Sequence, residues 1–283
     1  MRWGLGRCSF ELRSADSGLL ERAAVVFDPW RAETSDSVYA WRVSKSPEGW
    51  LISREDRRDG NAVVPIRADV GQVISAVEFR AVRALAEEAP DLLTFHAALV
   101  AWKEYGLLIV GPHEAGKSTL SCALWLQGFS FLGDDVAVVD PVSGMGQSGP
   151  RRVSLRPPSR ELLGEAAWAR MLAAPSSENA HKGYLFHPHE VDRRPRPESV
   201  KLAGCIFLAR RTAGKSRAGE AAAIPGSEAA LALLPYSNLA RRPDLETAIA
   251  RVSMLAARVP MYDLARGPLP GMITAIERVV RSA

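Results

Sequence analysis

The sequence predicts an α/β fold, with a P-loop core over residues 89–283 and a small β-rich α/β lobe over residues 1–88. Three observations predict it. The apolar run "LLIV" (107–110) leads directly into "GPHEAGKST" (111–119), which meets the phosphate-cradling (Walker A) pattern G-x-x-x-x-G-K-[ST] at every required position. Downstream, runs of strand composition alternate with runs of helical spacing to the end of the chain. Upstream, short β-rich runs separated by polar turns carry no chemical motif.

In chain order, "AAVVFDPW" (23–30), "SVYAWRV" (37–43) and "GWLIS" (49–53) read as strands, and "REDRRDGN" (54–61) as a polar turn or hairpin tip. Residues 73–89 place Val73, Ile74, Val77, Val82 and Leu85 at helical spacing before Pro90, which predicts an amphipathic helix. "LTFHAALVAW" (93–102) reads as a strand or edge segment, "KEYG" as a tight turn and "LLIV" as a buried strand. A helix from about 118 to 127 follows the loop, with Gly128 where a C-terminal glycine belongs. "FSFL" (129–132) and "VAVVD" (136–140) are strands around the break "GDD", and "PVSGMGQSGP" is a turn or loop. Residues 160–174 read as helical, and the polar, Pro-rich 175–199 as a mobile surface excursion. Then come a buried strand at 200–210, a polar loop at 211–223, helices near 227–234 and 244–257, a strand at 259–266 and a helix from about 270 to 281. The chain has no internal repeats.

Composition narrows the function. With 283 residues, 47% apolar and 24% charged, the chain can bury a sizeable core. It holds no run of about 18 apolar residues, so no membrane span or membrane partner is expected. "MRWGLGRCSF" lacks the apolar core of a signal peptide, and a cytoplasmic protein is the default expectation. Cys8, Cys122 and Cys205 are far apart, with no C-x-x-C pair to build a zinc site. The net charge is +4, and arginine pairs are spread along the chain (57–58, 151–152, 193–194, 210–211, 241–242) without interleaved aromatics, so no nucleic-acid partner is expected. His181, His187, His189 and Glu190 cluster at a spacing that matches no standard metal site.

The loop has a clear mechanics. Gly111 and Gly116 permit backbone angles that turn successive N–H groups inward, with Pro112, His113, Glu114, Ala115 and Thr119 completing the cradle. The helix N-terminus adds partial positive charge, Lys117 reaches the terminal phosphates, and the Ser118 hydroxyl ligates Mg²⁺. Asp134 and Asp135 follow Lys117 by only 17 and 18 residues, which leaves room for one helix and one strand. Two adjacent carboxylates beside phosphate can divide the work, one supporting the metal and one taking a proton from an incoming hydroxyl. The competing reading is a Gly-Asp-Asp turn kept for backbone reasons. His96 lies 21 residues before Lys117, at the start of a strand antiparallel to "LLIV", which puts it near the phosphates.

Together, His96 in "FHAALV", the loop "GPHEAGKS", the helix ending at Gly128 and the pair in "GDDVAV" resemble the HPr kinase/phosphorylase family and its kinase relatives, over roughly residues 92–142. The resemblance implies a fold like that family's C-terminal domain, related to phosphoenolpyruvate carboxykinase. It also implies ATP- and Mg²⁺-dependent phosphorylation of a hydroxyl, commonly serine, on a protein or peptide. By position Asp135 matches the proton-accepting aspartate, Lys117 and His96 the active-site lysine and histidine, and Ser118 the metal-ligating serine, with Asp134 beside it as the second metal residue. Thr119 stands where the bifunctional members carry glutamate, and "SLRPPSRELL" shows no further metal-ligating glutamate. The family's mobile Arg-bearing loop has no clear counterpart; Lys201, Arg210 and Arg211 are the candidates, Lys182 is a candidate to fold over the nucleotide, and Arg156 to contact phosphate. These departures point to an acceptor other than HPr. A nucleotide-binding regulatory or assembly protein and a P-loop ATPase are the alternatives, and homo-oligomerisation stays open.

Overall fold

The computed structural model describes residues 2–5, 8–28, 37–55, 65–88, 92–149, 151–180, 183–192, 197–208, 219–237 and 245–282. At the N-terminus β1 (Arg2–Leu5) and β2 (Cys8–Arg13) form an antiparallel pair, and α1 (Ser17–Phe27) follows. Next, β3 (Ser37–Ser46) lies parallel to β2, and β4 (Gly49–Arg54) closes a four-stranded sheet in the order β1-β2-β3-β4. Helix α2 (Val70–Glu88) packs with α1 over this sheet, around Trp3, Phe10 and Phe27, whose ring centroids lie 5.1–5.4 Å apart.

The expected strand at 23–30 is instead the second half of α1, up to Phe27; residues 29–30 lie outside the described residues. The Asp16 side chain accepts a hydrogen bond from the Leu19 N–H at 2.8 Å and caps the helix. Leu19, Ala23, Val26 and Phe27 then fall on one buried stripe. Cap and stripe together override the β-propensity of the Val25–Val26 pair. Asp16→Ala is expected to lower stability by ~1 kcal/mol, read from the midpoint of urea unfolding at unchanged slope.

The rest of the chain runs β5 (Leu93–Phe95), β6 (Ala97–Trp102), β7 (Tyr105–Val110), α3 (Lys117–Leu126), β8 (Ser130–Gly133), β9 (Ala137–Asp140), β10 (Met145–Gln147) and β11 (Val153–Leu155). It continues with α4 (Ser159–Leu163), α5 (Glu165–Leu172), β12 (Glu178–Ala180), β13 (Gly183–Phe186), α6 (Pro188–Val191) and β14 (Ser199–Leu208). It ends with β15 (Ala221–Ala223), α7 (Gly226–Leu233), α8 (Leu245–Arg258), β16 (Met261–Leu264) and α9 (Leu269–Arg281). The main sheet has the order β5-β9-β10-β14-β7-β6-β8, with β16 beside the C-terminal half of β14 and β15 paired to β16. Strands β7, β14 and β16 are parallel, in register at Leu108, Cys205 and Met261.

Alternation along these strands makes three layers. Val100, Leu107, Ile109 and Ile206 face α3 and α9, whereas Leu99, Leu108, Val110, Cys205 and Phe207 face α7 and α8. Among the described residues no helix is long and apolar enough to cross a membrane.

Four other expectations need correction. The segment 93–102 is two strands divided at His96, with β6 inside the sheet rather than at its edge. The loop 141–150 contains β10, because Asp140 closes the turn before it, accepting from the Val142 N–H (2.8 Å) and the Ser143 hydroxyl (2.6 Å). The helix at 160–174 breaks in two at Gly164, whose φ of +88° no helix continues. The end of the 211–223 loop pairs as β15; its residues 211–218 lie outside the described residues.

The excursion at 175–199 also holds structure: β12, β13 and α6, with β13 central in a three-stranded sheet of order β11-β13-β12. Among its described residues, Ser176, His187 and Glu190 bond inward; 181–182 and 193–196 lie outside the described residues. Glu190 accepts from the Ser176 N–H at 2.8 Å and from its hydroxyl, and Ser176 Oγ accepts from the His187 N–H at 2.9 Å. Arg22 of α1 donates to the carbonyls of Pro175, Ser176 and Ser177, and the His187 ring lies 2.6 Å from the Val26 carbonyl. Arg152 is buried among Glu78 and Ser75 of α2, Glu178 of β12 and the Ser176 carbonyl.

Candidate active site

Three register relations bring residues 96, 117 and 134–135 together. Val110 ends β7 opposite Ala97, so His96, just before β6, stands at the mouth of the 111–118 loop. Gly133 ends β8 opposite Leu99, so Asp134 and Asp135 emerge at the same edge. Parallel neighbours β7 and β14 both end there, the crevice where open α/β sheets bind ligands. The loop passes close to Leu208 at the end of β14. A Cβ on Gly111 would meet the Leu208 carbonyl at 3.0 Å and Ala115 at 3.1 Å, and Gly116 opens α3 at φ +96°.

Lys117 Nζ donates to the Gly111 carbonyl at 2.9 Å and the Pro112 carbonyl at 3.1 Å, and lies 3.2 Å from His96 Nε2. His96 Nδ1 lies 3.2 Å from the Asp135 carbonyl. These partners assign the tautomer: Nδ1 carries the proton and donates to the carbonyl, and Nε2 accepts from the ammonium. Burial, then the Lys117 charge, holds the imidazole below its ordinary value, so it is neutral at physiological pH. Burial likewise lowers Lys117, opposed by Asp135 and Asp134.

Asp134 is fully buried. Its Oδ2 accepts from Ser118 Oγ at 2.8 Å and from the Ser154 N–H at 3.2 Å, whereas Oδ1 has no hydrogen-bond partner among the described residues. Burial, then the neighbouring Asp135 charge, raises its pKa to about 7. Asp135 is more open. Its backbone is left-handed at φ +61°, Oδ2 lies 3.2 Å from Arg151 Nη2, and Oδ1 lies 3.7 Å from His96 Nδ1. Ser118, Asp134 and Asp135 offer only hard oxygen donors, and a buried carboxylate oxygen without a partner is what a cation would satisfy. Among the described residues no three His, Cys, Asp or Glu side chains form a metal cage. The donor chemistry of Ser118, Asp134 and Asp135 would fit Mg²⁺, which takes one or two carboxylates and draws its other ligands from phosphate and water.

On the loop crest, exposed Pro112 and His113 precede Glu114, which is left-handed at φ +64°, and Ala115 is buried beneath it. Arg156 pairs with the Glu114 carboxylate and lies 2.8 Å from His113 Nε2, and Arg266 donates to the Glu114 carbonyl at 3.2 Å. The Thr119 hydroxyl is turned to Ser159 of α4 at 2.8 Å. Lys201 pairs with Tyr105, at the opposite end of the sheet from the loop, so it cannot replace a site arginine. His181, Lys182, Arg210 and Arg211 lie outside the described residues. The sequence reading missed Arg151, the Ser154 N–H and Arg266. Arg151 gave no signal among so many arginines. Arg266 did, since it ends an expected strand at 259–266, and strand ends of α/β sheets line ligand sites.

No family model and no curated protein matches this chain. Among solved structures, the HPr(Ser) kinase/phosphatase from Coxiella burnetii is similar at 17% identity and a TM-score of 0.36, covering 67% of this chain and 88% of that one.

Proposed function

We propose that the protein is a phosphotransferase of the HPr-kinase-related type, which moves the γ-phosphoryl of ATP to a hydroxyl of a protein or peptide other than HPr, with serine the first candidate. One observation carries the reading. The unpartnered Asp134 Oδ1 is buried beside Ser118 and Asp135, at the mouth of a G-x-x-x-x-G-K-S loop. A plain Gly-Asp-Asp turn does not account for a buried acid held near pH 7 with one oxygen unsatisfied.

In this reading Ser118 and Asp134 hold Mg²⁺, which when bound neutralises phosphate charge. Lys117 exchanges the Gly111 and Pro112 carbonyls for phosphate oxygens. Neutral His96 accepts from Lys117 and donates to the Asp135 carbonyl, which fixes the lysine against the turn that carries the base. Asp135, partly exposed, accepts the acceptor's proton.

The pH dependence of cation binding has a definite sign. In the fold Asp134 keeps its proton up to about pH 7, whereas in the unfolded chain it ionises near the ordinary value of about 4. The metal-free protein therefore loses stability as pH rises between those values. A cation needs the ionised form, so Mg²⁺ is expected to raise Tm more at pH 8 than at pH 6, and Asp134→Asn to abolish that response in thermal-shift measurements.

The function itself is tested by following γ-labelled ATP with serine-containing candidate acceptors. Label on an acceptor serine supports a kinase. Label released only as phosphate marks a hydrolase, and ATP binding without turnover a nucleotide-dependent regulator.

A further inference from the structure

Glu114 is an awkward residue for a loop that receives a polyanion. Its carboxylate stands on the loop crest, and its φ of +64° is one that glycine adopts without strain. Two arginines hold it: Arg156 forms an ion pair with the carboxylate, and Arg266 donates a hydrogen bond to the main-chain carbonyl of the same residue at 3.2 Å. Arg156 reaches the crest because β11 alternates. Val153 and Leu155 are buried in the core, Ser154 between them is half-buried, and Arg156 continues the Ser154 face. The same strand donates the Ser154 N–H to Asp134, so Arg156 follows by two residues the strand position that binds the buried carboxylate, whose Oδ1 has no partner among the described residues.

We infer that Arg156 is a ligand for the nucleotide's terminal phosphates, and that Glu114 occupies its guanidinium in the free protein until Mg·ATP displaces it. This rests on the nucleotide-site reading above and adds a residue and a control to it. Carboxylate and phosphate present the same paired acceptor oxygens to a guanidinium, so one replaces the other without rebuilding the arginine. The pair is open to solvent, with side-chain exposures of 37% and 60%, and such pairs exchange readily. Arg266 holds a main-chain carbonyl instead, and keeps the crest in place while the Glu114 side chain leaves. Glu114 thereby weakens binding of any nucleotide whose phosphates reach Arg156, and leaves AMP unaffected.

The test is calorimetric titration of the full chain with Mg·ATP and with AMP, with Tm measured for each variant. Glu114→Gln is expected to tighten Mg·ATP binding roughly fivefold, and Arg156→Gln to weaken it about tenfold. Arg156→Lys should recover part of the loss. The decisive result is coupling: in the Arg156→Gln background Glu114→Gln should change little, because the guanidinium that the carboxylate occupies is gone, while Arg266 still holds the main-chain carbonyl. Weaker binding in Glu114→Gln would mean that the pair only buttresses the loop, and unchanged binding in Arg156→Gln would mean that the arginine is no ligand. Either overturns the inference while the nucleotide site stands. A wild-type chain that does not bind Mg·ATP overturns both.

Discussion

Asp135→Asn is expected to lower the turnover number for phosphoryl transfer by ~10²–10⁴-fold while leaving the Mg·ATP dissociation constant within about threefold. The amide keeps the shape of the side chain and can still face Arg151, but it cannot accept the acceptor's proton. Asparagine is also the clean replacement for the backbone. Asp135 sits at φ +61°, a region that Asp and Asn enter more easily than other residues with a Cβ. Asp135→Ala would add strain of about 1–2 kcal/mol at the turn that carries Asp134, and so confuse a chemical loss with a local rearrangement. Transfer kinetics and calorimetry on the same preparation separate the two parameters. A variant that transfers normally, or one that loses ATP affinity in step with turnover, would remove Asp135 from the role of base.

The second large effect concerns the fold. Arg152→Leu is expected to lower unfolding stability by ~3–5 kcal/mol, because it strands carboxylates in a buried site. Arg152 is 1% exposed and Glu78 3%, and the guanidinium is shared among Glu78, Glu178, Ser75 and the Ser176 carbonyl. Leucine fills part of the volume and keeps only the main-chain N–H that Glu78 accepts; every guanidinium bond is lost. Arg152→Lys should recover only a fraction, since a point charge with three donors cannot reproduce a planar fork. Urea unfolding measures both variants. A loss under about 1 kcal/mol for Arg152→Leu would mean that water reaches these acids and the network contributes little.

Much of the candidate site was legible because its chemistry is written at short range. The loop motif, the helix after it and the acidic pair lie within 25 residues, from Gly111 to Asp135, and the hairpin register that brings in His96 follows from two adjacent strands. What escaped the reading needed partners far along the chain. Arg151 is one arginine among many until β8 and β9 set Asp135 beside it, and Arg266 lies 152 residues from the glutamate it supports. The errors in the fold have the same origin. The polar stretch after Pro175 has the composition of a solvated loop, yet its serine, histidine and glutamate satisfy one another and the end of α1. The segment at 23–30 was misread for the opposite reason: paired valines gave a local β signal, while the stronger evidence for a helix lay upstream, in the Asp16 cap.

The proposed transfer is in-line, from ATP directly to the acceptor hydroxyl, with Asp135 as base rather than nucleophile. The stereochemistry of transfer from ATP made chiral at the γ-phosphorus, read on the phosphorylated acceptor, distinguishes the two roles. Inversion of configuration is the predicted result, since one displacement inverts once. Retention would require two displacements through a phosphorylated side chain and would contradict the role given to Asp135.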